Sequence, residues 1–444
     1  MSALSEQAKT SVLERIGNSR QEIIDLCLTL GNTPDYPGHE QKVGDAVAAW
    51  LRDADIPVRR QRLSDDSVNI IGTISGTGDR AGGGRSLILN AHMDTQGGVP
   101  GGGEEEERRI RGAWVEDGLL YGRGLANDKA QLVALLFAAR AIVDAGIRLK
   151  EDLLVTAVAQ ETSAPTDDSA ELENWSGIGP ATSQIREGHG ARWLVEHGVI
   201  ADYALVAEVS DFTATVAQAG YLRLRISVPG HILYTPGLDR GKGMAANPNP
   251  FERAAHVILA LEDWARRYET EGREEFWGGA FLPKAQVYEV RGSGPAWTET
   301  QDYCHIFFDI RLAPSAKPAE ILDSVRRQVE PLELDCDVAG YDFRRGYIAE
   351  NAEELLDALK ETHQAVAGVA LDLAPPRMIS MWRDANAFNE AGIPAIGYGP
   401  PTQAAMGAGL AGTTRPIAIE DILITAKVIA LTALKICGVV ELSA

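Results

Sequence analysis

Three short apolar runs in this chain each end in residues able to hold a metal ion. "LILNAHMDT" ends in His92 and Asp94, "VTAVAQET" in Glu161, and "ALVAEVSD" in Glu208. Imidazole nitrogen and carboxylate oxygen suit zinc, manganese or another first-row divalent ion. In a His-x-Asp on a strand both side chains fall on one face, so Asp94 can orient His92 or add charge behind it. Each residue also has a plain alternative. A lone strand-end histidine is often structural, and a strand-end glutamate is often merely solvated. A fourth stretch, "GRGLANDKAQLVALLFAARAI", turns on glycine into an apolar helix and sets Asn127, Asp128 and Lys129 at the joint.

The elements that must position these residues follow from the pattern around them. An amphipathic helix spanning roughly 5–30 precedes a strand, "VNIIGTIS". Continuous apolar strands then alternate with helices, which predicts an α/β fold. Its sheet is mixed and mostly parallel, with helices on both faces and sites at the strand carboxyl ends. From about 213 the period changes. "TATVAQAGYLRLRISVPG" alternates as a half-exposed antiparallel strand, and a long helix and two further strands follow it. The expected organisation is a catalytic α/β domain over 1–212 and 325–444, with an inserted α+β domain over 213–324. The glycine- and glutamate-rich 97–112 stretch reads as a solvated loop. The polar 163–190 segment reads as a long loop of the kind that is usually functional.

Bulk properties exclude several classes. The chain has 444 residues, too many for one ordinary core. A net charge of −21 argues against nucleic acid and anionic lipid as partners. Cys27, Cys304, Cys336 and Cys437 are widely spaced, which fits reduced thiols in the cytoplasm better than a disulfide frame or zinc knuckle. No apolar run approaches the roughly 20 residues of a membrane span.

The order of these stretches resembles that of the zinc-dependent aminoacylase, carnosinase and carboxypeptidase-G metallopeptidases. The likeness rests on "LILNAHMDT", "GLLYGRGLANDKAQL", "VTAVAQET", "DYALVAEVSD", "AGYLRLRISVPG", "FFDIRLAP" and "RDANAFNEAGIPAIGYGP". It implies that the insertion is a dimerisation lid, making the protein at least a dimer. It also implies two metals bridged by an aspartate, with Glu161 as general base.

The chain departs from that pattern at the second metal. Asn127 stands where the resemblance places the bridging aspartate, and an amide bridges two divalent cations poorly. Lys129 keeps its usual place. Thr162 stands where a second glutamate would bind metal two. No histidine follows His363, so the matching place near Ala411 is empty. His92 and Glu208 remain for metal one, with Asn127 either a third ligand or a group that positions water. The expectation is one divalent ion per chain, Mn or Zn. In the lid Tyr234 replaces a histidine that binds the substrate oxyanion; it either donates a hydrogen bond there or packs the lid. Trp382 and Arg383 fall near the implied substrate pocket, as an aromatic wall and a carboxylate partner, although an arginine there can also serve a simple ion pair.

A small acidic, aromatic substrate follows. The same resemblance implies hydrolytic deamination of 5-nitroanthranilate, whose nitro group already activates the ring and so fits the loss of one metal. The alternatives are a dipeptidase or N-acyl-amino-acid amidohydrolase, and a silent homologue that binds or scaffolds.

Overall fold

The computed structural model describes residues 6–33, 35, 38–78, 83–95, 112–122, 124–162, 188–292, 298–300, 302–402 and 416–440. It divides into a first unit of 1–216, 349–373 and 383–444 and a second of 217–348 and 374–382.

The first unit begins with α1 (Glu6–Asn18), α2 (Arg20–Asn32) and α3 (Gln41–Asp53). The single N-terminal helix expected from the sequence is broken at Ser19, where Gly17-Asn18-Ser19 brings together residues of weak helix propensity. Strands β1 (Val58–Arg62), β2 (Val68–Ile74) and β3 (Leu87–His92) follow, then the short hairpin β4 (Trp114–Glu116) and β5 (Leu119–Tyr121). One wide helical turn, Leu125–Lys129, leads into α4 (Ala130–Asp144). Next come β6 (Leu153–Val158), α5 (His189–Glu196) and β7 (Tyr203–Ala207). The order across the sheet is β1-β2-β6-β3-β7, closed by β16 (described below). β6, β3 and β7 run parallel, while β2 pairs antiparallel with both β6 and β1. Every residue of β3 is buried, as a strand covered on both faces requires. Ile88 packs with Leu194, Val206 and Phe388 on one face, and α4 covers the other.

The second unit contains β8 (Ala217–Gln218), β9 (Gly220–Pro229), α6 (Pro250–Glu271), β10 (Glu274–Phe276), β11 (Gly279–Phe281), β12 (Lys284–Arg291) and β13 (Tyr303–Leu312). It continues with α7 (Pro318–Val329), β14 (Asp337–Arg344) and β15 (Tyr347–Ile348). Its four-stranded antiparallel sheet has the order β12-β13-β9-β14. Leu224, Ile226, Phe308 and Ile310 share a core with Val257, Leu261 and Trp264 of α6 and Val325 and Val329 of α7. The unit therefore extends past the expected limit of 324. The period of α7 was plain in the sequence; its packing partners were not. Asn249 caps α6 by accepting the Phe251 N–H at 3.0 Å, with Pro250 at the first helical position.

The chain returns to the first unit at Ala349, whose N–H donates to the Val216 carbonyl at 2.8 Å. α8 (Glu353–Ala367) belongs to the first unit, α9 (Pro376–Ile379) to the second, and α10 (Ala385–Glu390) again to the first. β16 (Ala395–Tyr398) pairs parallel with β7, and β17 (Ile417–Ala418) leads into the apolar α11 (Ile419–Cys437). Among the described residues no helix is long and apolar enough to cross a membrane. The four cysteines are free.

Candidate metal centre

The sheet order brings the sequence-predicted residues together. β3 lies between β6 and β7, so three adjacent parallel strands deliver His92, Glu161 and Glu208 from their carboxyl ends. His92 is 1% exposed. Its Nδ1–H donates to the Asp94 backbone carbonyl at 2.9 Å, which leaves Nε2 as the ring atom able to ligate a metal. Around Nε2 stand Asn127 Oδ1 at 3.3 Å, Glu161 Oε2 at 3.6 Å and Glu208 Oε1 at 3.7 Å. Tetrahedral ligands held about 2.1 Å from one ion sit about 3.4 Å apart. The residues around Nε2 are therefore spaced as ligands of a divalent cation would be. Glu161 is at the reach from which a carboxylate either closes the shell or takes a proton from water within it.

Asn127 gets its place from the turn before α4. Gly124 starts that turn at φ +74°, and a Cβ there would lie 2.0 Å from Thr95 Oγ1, so only glycine fits. Asn127 itself is extended, at φ −149° and ψ 85°, and its peptide bond to Asp128 is cis. Lys129 is fully buried. Its Nζ donates to Asp35 Oδ1 at 3.0 Å and to the Leu30 carbonyl at 2.9 Å, tying the turn to the end of α2.

Asp94 does two jobs. Its carbonyl fixes the imidazole, while its carboxylate lies 3.7 Å from Nδ1. That carboxylate instead accepts the Glu161 N–H at 3.0 Å, the Thr162 N–H at 2.8 Å and the Thr162 hydroxyl.

Three carboxyls escaped the sequence reading. Asp128 shares a buried cluster with His92 and Glu208, one ligand atom of each within 4.8 Å of the others. Its Oδ2 accepts the His92 N–H at 3.3 Å; burial, with Glu208 nearby, pushes it well above the usual carboxylate range. Its place beside Asn127 was the one available signal. Asp384 accepts from Asn90 Nδ2 at 3.0 Å, and Asn90 in turn accepts from Thr156 at 2.8 Å. Burial raises Asp384 to about 7, against the opposing pull of His92 and Asn90. Glu40 accepts the Gln160 N–H at 3.1 Å and is pushed up to about 8 by burial and by Asp94. Burial alone would depress His92. The carboxylates of Asp94, Glu208 and Asp384, with the Asn127 hydrogen bond, outweigh it and raise the imidazole. This is an environment that favours a cation.

Arg383 is 2% exposed, donates to the Val209 carbonyl, and has Nε 4.0 Å from Glu208 Oε2. Trp382 and Tyr234 belong to the second unit. Trp382 is buried edge-on to Tyr221, with ring centroids 6.3 Å apart. Tyr234 is exposed on a segment that bridges to Glu299. The 97–112 loop (except 112), most of the 163–190 loop and the place near Ala411 lie outside the described residues.

Fold and donor set together define a metal-dependent hydrolase. The chain belongs to peptidase family M20/M25/M40, whose pattern matches residues 88–435. Over 429 residues it is 23% identical to the N-formyl-4-amino-5-aminomethyl-2-methylpyrimidine deformylase of Bacillus subtilis strain 168, covering 89% of this chain and 91% of that protein. Human carnosine dipeptidase 1 shares the fold with a TM-score of 0.63 at 16% identity, over 97% of this chain and 98% of that one. Bacillus subtilis YxeP, described as a dinuclear metal binding peptidase, gives a TM-score of 0.57 at 14% identity, over 95% of this chain and 99% of that one.

Proposed function

We propose that this hydrolase works with a single divalent ion, Mn or Zn, and releases ammonia from a small aromatic amino acid of the 5-nitroanthranilate type. One observation carries this reading: Asn127, Glu161 and Glu208 each stand within 3.7 Å of His92 Nε2, while an amide takes the place the family resemblance gives to the bridging carboxylate and Thr162 is spent on Asp94. His92, Asn127 and Glu208 hold the ion, with Asp128 as a further carboxylate in reach. When bound, the ion supplies a Lewis acid that acidifies water.

Glu161 accepts a proton from the attacking water. The water oxygen bonds to the ring carbon that bears the amine, and the para nitro group takes up the electron pair. Glu161 then returns the proton to the departing nitrogen. The C–N bond breaks, ammonia leaves, and hydroxyl remains on the ring. An electron-poor ring needs no second Lewis acid. Arg383 is the cation assigned to the substrate carboxylate, and the second unit is assigned dimerisation.

Amide hydrolysis is the second reading, and the deformylase likeness over 89% of the chain favours it. Protein loaded with Mn or Zn is incubated with 5-nitroanthranilate and, separately, with formamides, N-acyl amino acids and dipeptides. Ammonia release with loss of nitroanthranilate absorbance supports the first reading. Turnover of the amides alone replaces it with the second. Binding without turnover of any of them points to a silent homologue. Metal analysis should give about one ion per chain; two tightly held ions would remove the single-ion premise.

A further inference from the structure

Three consecutive N–H groups around the general base are held by two buried carboxyls. Gln160 donates to Glu40 at 3.1 Å, Glu161 to Asp94 Oδ1 at 3.0 Å, and Thr162 to Asp94 Oδ2 at 2.8 Å. On the other edge of the turn, the Gln160 carbonyl accepts from His189 at 3.1 Å and the Glu161 carbonyl from Gly188 at 2.9 Å. Gln160 takes a left-handed conformation, φ +55°, and its side chain is anchored on Ser67 Oγ at 2.9 Å. The backbone that carries Glu161 is therefore fixed from both sides. Asp94 is fully buried, so the groups that face its carboxylate decide where it sits. One of them is the Thr162 hydroxyl, which donates to the same oxygen as the Thr162 N–H.

We propose that Thr162 is a positioning residue for Glu161: its hydroxyl locks Asp94 Oδ2, and Asp94 in turn locks the turn that aims the base. The inference rests on Glu161 acting as the base. At this position the chain has no carboxylate to offer a second ion, and it has a donor that stiffens the proton-transfer group. Valine has threonine's shape without the donor, and serine keeps the donor without the methyl. Misplacing a reacting group by about 1 Å costs on the order of a hundredfold in rate.

The test compares the metal-loaded full chain with T162V and T162S, using whichever substrate the wild type turns over. T162V should keep its ion and a KM within about threefold of wild type, while kcat falls about ten- to hundredfold. The Glu161 and Thr162 amides should exchange with deuterium faster. T162S should recover most of kcat and of the amide protection. A T162V kcat within threefold of wild type, with unchanged protection, overturns the proposal. So does a serine variant as impaired as the valine one, and that comparison still decides the matter if T162V folds poorly. Failure of the wild type on 5-nitroanthranilate with success on an amide removes the substrate reading but not this one. If no substrate is found, exchange alone decides: unchanged protection in T162V overturns it.

Discussion

Replacing Lys129 by methionine removes a buried cation that ties the Asn127 turn to the end of α2. Lys129 and Asp35 have side chains 0% and 4% exposed, with a 3.0 Å contact. Breaking such a pair from one side takes the counter-charge from a buried carboxylate, which costs about 3–5 kcal/mol. The last carbonyls of α2 also lose a donor, since Nζ serves Leu30 and Thr33. At roughly 2 °C per kcal/mol for a unit of this size, K129M should melt about 6–10 °C below wild type. The ion should also bind more weakly, because the turn Leu125–Lys129 carries Asn127. Calorimetry on metal-free protein isolates the first effect, and titration with manganese measures the second. D35N with K129M should cost clearly less than the two single changes summed, since the stranded charge is gone. A K129M melting point within 1 °C of wild type, or strict additivity in the double variant, would refute the buried-pair argument.

Further expectations concern the centre and its surroundings. E161Q should lose at least a hundredfold in turnover while keeping its ion; a variant with wild-type rates would strip Glu161 of its role. H92A should abolish tight binding of manganese and zinc in metal analysis, and retention of a full equivalent would place the ion elsewhere. Glu40 yields a pH signature. Its carboxyl stays protonated in the folded chain up to about pH 8, whereas the unfolded chain releases that proton near about pH 4.3. The native state binds more protons between those values, so this group's contribution to stability is present below the window and lost as pH rises through it. E40Q keeps an oxygen for the Gly38 and Gln160 N–H groups and removes the titration. Its melting temperature should therefore fall less than that of wild type between pH 5 and 8, and parallel curves would count against the assignment.

The strand-end residues were legible because apolar runs such as "LILNAH" end abruptly in polar groups, and such runs make buried strands. The placement of β3 between β6 and β7 was not legible, since strand order depends on pairings between distant segments. Asp128 was hidden by its neighbour Asn127. Glu40 and Asp384 were hidden because the groups that give them meaning, Gln160 and Asn90, lie far away in sequence. The sequence suggests that the Asp94 side chain serves His92, whereas in the structure the Asp94 carbonyl holds the ring and its carboxylate holds the Glu161 N–H. The end of the insertion was misjudged because α7 carries an ordinary helical period, whichever core it joins.

The bond between the Ala349 N–H and the Val216 carbonyl sets entrance and exit of the long insertion side by side. Within the first unit, the ends left by 217–348 need no spanning loop, since one peptide-length link could join them. Closing such an excursion costs only about 0.6 kcal/mol more for each doubling of its length. A segment that leaves and rejoins at one point can change in length without pulling on the strand order of the sheet it departs from.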